Sequence, residues 1–175
     1  MWLSESLWDN VFEVWDVLRI SYVNTTFMLK TIQEQLVIGL PLENHNVIVP
    51  WNVTIDAIRN YGKPMVTMCS EQRVDAVWED AQILGGLKLR LIANFWTTLF
   101  SGYELYSIYT YILEEEVVRI KQHLESYLGI APKYKTPSEI EYYYRWRVGR
   151  CEIRLGQGDR FGVYYYISIR RRGWF

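Results

Sequence analysis

The chain has 175 residues, half of them apolar and 22% charged, which excludes a disordered chain and suits one globular domain, or one with an appendage. Aromatic residues make up 16%, with eight Trp, fourteen Tyr and six Phe, so the core is well supplied and rings are left for interfaces. The formal charge of −1 hides two opposite ends: residues 133–175 hold ten Lys/Arg against four Asp/Glu, and residues 1–132 hold nine against sixteen.

In chain order, residues 4–20 are predicted to form an amphipathic helix. Leu7, Trp8, Val11, Phe12, Trp15 and Leu18 recur at i, i+3/i+4, and Ser4 or Ser6 can cap it. Acidic residues stand where a secretory signal would be basic, so no signal is expected and the location is read as cytoplasmic or within a virion. A second helix is expected from Phe27 to about Ile38, stopped by Gly39-Leu-Pro41. Val47–Trp51 and Val66–Cys69 read as short extended pieces, with a short helix between them that Asn52 or Thr54 can cap.

Ser70 is expected to cap a helix with Val74, Val77, Trp78 and Leu84 inward, broken at Gly85-Gly86. Further helices are expected over Leu87–Phe100 and from the capping-box pattern Ser101-x-x-Glu104 to Leu128, with Gly129 as the stop. The apolar stretch Leu91–Leu113 raises the question of a membrane span, which Asn94, Glu104 and its tyrosines argue against. Residues 130–137, with two prolines, read as a linker.

Beyond it the pattern changes to period two. Three strands are expected, Ile140–Val148, Arg150–Leu155 and Phe161–Arg170, with turns at Gly149 and at Gly156-Gln-Gly-Asp159. The expected fold is therefore α+β: a helical, acidic body of about five helices over 1–129, then a basic, aromatic three-stranded antiparallel β-meander and tail over 138–175.

Alternation sorts this meander into an apolar face and a face of arginines and tyrosines. Tyr143, Arg145, Arg147, Arg150, Arg154, Tyr164, Tyr166 and Arg170 fall on the second face, and Arg171, Arg172, Trp174 and Phe175 continue it as a tail. These twelve residues are the candidate interface or nucleic-acid-binding set. Arginine and tyrosine are the residues of protein hot spots, and also of phosphate and base contacts. No pattern of a basic residue, glycine and alternating aromatics is present, which favours a protein partner.

Little argues for chemistry. His45 and His123 have no ligand at helical spacing, Cys69 and Cys151 form no metal-type cluster and read as small buried hydrophobes, and the glycines match no phosphate loop. Glu71, Asp75, Glu79 and Asp80 could hold a divalent cation, but acidic first turns also suit the helix dipole. No cofactor and no metal are expected. The function expected is a non-enzymatic structural or assembly subunit of a homo-oligomeric complex, such as a viral connector, neck or tail component. The basic face of one copy would then meet carboxylates such as Glu71–Asp80 or Glu114–Glu116 of the next. The alternative is a nucleic-acid-binding protein using the same face.

Overall fold

Thr31 opens the first helix by a capping box. Its hydroxyl accepts the Glu34 N–H at 3.4 Å, and the Glu34 carboxylate accepts the Thr31 N–H at 2.9 Å. A computed structural model describes residues 31–98, 102–138, 141–159 and 162–172. Helix α1 (Ile32–Ile38) leads into a small antiparallel pair, β1 (Gly39–Leu42) and β2 (Val47–Pro50). A 3₁₀ turn over Ala57–Asn60 follows, its start held by Thr54, whose hydroxyl accepts the Ala57 N–H at 3.3 Å.

The remaining described strands form one large sheet. Strands β3 (Met65–Ser70), β4 (Arg73–Ile83), β5 (Leu87–Thr98) and β6 (Gly102–Ile112) form one meander. Helix α2 (Glu116–Leu128) crosses to a second, β7 (Lys133–Ser138), β8 (Glu141–Val148), β9 (Cys151–Asp159) and β10 (Val163–Arg171). The order is β3-β4-β5-β6-β10-β9-β8-β7, antiparallel throughout, so the two meanders join through β6 and β10.

One face of this sheet is the core face. Leu36 of α1, Leu40, Leu42 and Val49 of the small hairpin, and Ile120 and Leu124 of α2 are fully buried. So, on the sheet side, are Phe95, Ile108, Ile153 and Leu155. Each such side chain contributes about 1.5–3 kcal/mol of transfer free energy.

The expectation of about five helices followed by a three-stranded meander is overturned: the described residues hold two α-helices, an eight-stranded sheet and a two-stranded one. Residues 4–20 and the start of the second expected helix lie outside the described residues. The helices expected after Ser70 and over Leu87–Phe100 are β4 and β5, and the one from Ser101 to Leu128 is β6 followed by α2. The physical reason is visible in β4. Val74, Ala76 and Trp78 face the core, a bulge intervenes at Glu79-Asp80, and Ala81 and Ile83 face the core again. Val77 points to the other face yet is buried too, at 6% exposure. A bulged strand with apolar groups on both faces therefore mimics helical spacing.

Gly85-Gly86 is a hairpin tip, not a helix break. Leu84, Gly85 and Gly86 all have positive φ, and a β-carbon on Gly85 would fall 2.6 Å from Cε2 of Tyr127. The Glu43 carboxylate accepts the N–H groups of Gly85 and Gly86 at 2.6 and 2.8 Å, latching the tip to the β1–β2 loop. The expected linker region forms β7, an edge strand where Pro137 costs no ladder bond to a further strand.

Candidate functional site

The second sheet face is ordered in rows by the strand register. Met65, Val77, Ile92, Tyr109, Ser168, Arg154, Arg145 and Lys133 are successive cross-strand partners, running from apolar at β3 to basic at β7. Next to this row, about 7 Å along the strands, Tyr111, Tyr166, Gly156, Tyr143 and Lys135 are partners in turn. A basic row thus runs beside a tyrosine row.

On the other side of the basic row, Glu152 lies between Arg170 and Arg147 in the ladder. It is 2% exposed, and four guanidinium groups converge on it. Arg154 and Arg170 reach Oε1 at 2.7 and 2.9 Å, while Arg147 and Arg172 approach Oε2 at 3.5 and 4.0 Å. Burial opposes ionisation of Glu152, but hydrogen bonds from Arg170 and Arg154 outweigh it and hold the carboxyl below its usual range. Four positive charges against one leave three in excess. Arg147 and Arg172 also keep 41% and 48% of their side-chain surface exposed, so the cluster is ordered from beneath and faces water above.

The tyrosines have distinct environments. Tyr143 is buried, and the Arg154 guanidinium lies 4.6 Å from its ring centre. Tyr166 donates its hydroxyl to Glu141 at 2.9 Å, and burial and this bond together raise its pKa. Tyr111 and Tyr164 are exposed, at 60% and 37%, and meet edge to face with 87° between their planes. The structure therefore brings Arg147, Arg154, Arg170 and Arg172 together with Tyr143, and sets Arg145 in the same basic row.

Arg150 sits in the β8–β9 turn instead, its carbonyl accepting the Arg172 N–H, and Arg171 ends β10. Trp174 and Phe175 lie outside the described residues. The turn expected at Gly156–Asp159 is strand: Gly156 and Gly158 pair with Tyr166 and Tyr164. Sequence reading missed Glu152 as the centre of the cluster, although its place between arginines on adjacent strands follows from the alternation. It also missed Tyr109 and Tyr111, because β6 was read as helix.

Three of the groups considered for chemistry are engaged structurally. Asp75 is clasped by Arg73 at 2.9 and 2.6 Å and bonded by Asn94, and Glu79 pairs with Arg90 across the β4–β5 hairpin. His123 bonds the Leu84 carbonyl at 2.8 Å and stacks on Tyr127. A cleft of about 150 Å³ lined by Trp51, Thr54, Tyr103 and Glu104 is smaller than the roughly 300–1,000 Å³ of small-molecule sites. Among the described residues, no helix is long and apolar enough to cross a membrane. The stretch Leu91–Leu113 spans most of the β5–β6 hairpin.

No family model, curated protein or solved structure matches the chain. The viral and virion part of the expectation draws no support from relatives and is set aside.

Proposed function

We propose that the protein is a non-catalytic binding subunit that docks an anionic macromolecule on the Arg/Tyr face of β6–β10. The observation that carries this reading is the cluster on Glu152. Four guanidinium groups are oriented by one buried carboxylate, with excess positive charge beside exposed rings. Guanidinium groups ordered in this way lose less freedom when they bind carboxylate or phosphate oxygens.

Retention of the full chain on immobilised polyanions at about 50 mM salt tests it. Retention is expected to fall as salt rises and to be sharply reduced in Arg147→Glu/Arg172→Glu. No retention on either a nucleic acid or polyglutamate would overturn it.

A second reading, that the same face joins copies of this chain in an assembly, is supported by the exposure of Trp96 (41%) and Tyr111 (60%). Against it, several carboxylates that a neighbouring copy would offer are already engaged: Asp75 with Arg73, Glu79 with Arg90, and Glu116 with Arg119. Light scattering over a concentration series decides; a constant monomer mass at low and high salt would end this second reading.

A further inference from the structure

We infer that the occupant of this face is a single-stranded nucleic acid, with a base seated in the corner formed by Tyr164 and Tyr111 and phosphates on the neighbouring arginines. This rests on the anion-docking reading above and names its partner.

The corner is built by a glycine. Tyr164 lies opposite Gly158 in the β10–β9 ladder, and a β-carbon at Gly158 would fall 2.5 Å from Cζ of Tyr164. The far end of the ring therefore lies over the backbone of β9, which only a residue without a side chain permits. Tyr111 meets this ring at 87°, with ring centres 5.8 Å apart. Tyr166 packs on Tyr164 from the next row, with ring centres 6.0 Å apart. In the proposed complex Tyr164 serves as floor and Tyr111 as wall, receiving a flat ring by stacking on one and edge contact on the other.

From Tyr111, the Arg154 row and the Glu152 cluster lie one and two rows along the strands; from Tyr164 they lie two and three, beyond the row of Tyr166 and Tyr143. Two aromatic rows are thus followed by two guanidinium rows, in steps of roughly 7 Å along the strand direction. A nucleic acid offers the same two chemistries, base and phosphate. An acidic protein surface would satisfy the arginines and leave the floor without a planar partner. A duplex fits poorly. Its bases are stacked away from a floor, and its major groove, about 12 Å wide, admits a helix or a two-stranded ribbon. Five adjacent strands at about 4.8 Å spacing are too broad to enter it.

Fluorescence anisotropy of a labelled single-stranded oligothymidylate, at about 50 mM salt, tests this, with a duplex and polyglutamate as competitors. The single strand is expected to bind more tightly than either competitor. Gly158→Ala changes no charge, and its added methyl meets only the movable end of Tyr164. It is expected to weaken single-strand binding by about 5- to 150-fold, the range for loss of one stacked base, and to leave polyglutamate binding and the salt slope unchanged. Tyr111→Ala, at an exposed position, is the second variant and should act in the same direction. Polyglutamate or duplex bound as tightly as the single strand, or unaltered affinity in both variants, would overturn the inference while the docking reading stood. Binding of none of the three would overturn both.

Discussion

Glu152 stands directly opposite Arg170 in the β9–β10 ladder, and its Oε1 accepts the Arg170 Nη2 donor at 2.9 Å while the residue is 2% exposed. A buried carboxylate held by arginines has a direct consequence for pH. Its folded pKa lies below its unfolded one, so its contribution to stability is complete above the unfolded value of about 4.3 and is lost as pH falls through the folded value. The melting temperature is expected to drop below about pH 4, and the drop should be smaller in Glu152→Gln. At neutral pH, removing the carboxylate in Glu152→Ala should cost about 3 kcal/mol, the lower end for a broken buried pair because the arginines reach solvent. Urea unfolding of both variants measures it.

The latch between Glu43 and the Gly85-Gly86 tip predicts a local weakness when it is removed. Glu43→Ala should lose about 1.5–3 kcal/mol, the value of hydrogen bonds to a charged group. Limited proteolysis should then cut at the β4–β5 tip, which Glu43→Gln should partly protect.

Gly85→Ala should be worse for a different reason. A side chain at φ +81° is strained by about 1–2 kcal/mol, and the added carbon also meets the Tyr127 ring. A lower denaturation midpoint with an unchanged slope is the expected result.

The two cysteines should react differently, which corrects the expectation that both are buried. Cys69 is exposed, whereas Cys151 is buried and its thiol is pushed up to about 12 by burial and the neighbouring Glu152 charge. Burial and Asp75 raise the Cys69 thiol as well, so its reaction should be slow. At pH near 8, a thiol reagent should label Cys69 in the native protein and Cys151 only on unfolding. Mass spectrometry of the two peptides shows which reacted.

Tyr165 provides an alkaline marker. The neighbouring Glu114 carboxylate, acting on its hydroxyl, pushes its pKa up to about 12. A raised folded pKa means this contact stabilises fully below the unfolded value of about 10 and is lost as pH rises through about 12. In a phenolate absorbance titration, Glu114→Gln should move one tyrosine to lower pH.

Strands β8, β9 and β10 were legible as strands, though not β7 or the end of β9, because they keep one apolar face and one polar face, with Trp146, Ile153 and Ile167 inward and Arg145, Arg154 and Tyr166 outward. The first meander was harder to read. Leu87, Leu89, Leu91, Ala93 and Phe95 do alternate in β5, but Ile92 is also buried, at 8% exposure, and fills the gap in the pattern. Bulges in β4 and β6 shift the phase, and the helix signal of Glu116–Leu128 lent its type to the residues before it. The arginines of the site could be found by counting. The corner at Tyr111 and Tyr164 could not, because it depends on two strands separated in sequence by α2 and the whole of β7–β9.

The sheet order also sets a schedule for folding. Strand β10 sits between β6 and β9, yet it is made after every other described strand. As the chain leaves the ribosome, β6 and β9 each present an unpaired edge, a template for pairing with other chains, until β10 arrives. The join between the halves is long-range in sequence and so slow to form. Versions of this protein shortened before Val163 should therefore gather into aggregates, and a chaperone that shields strand edges should matter most during synthesis of the final stretch.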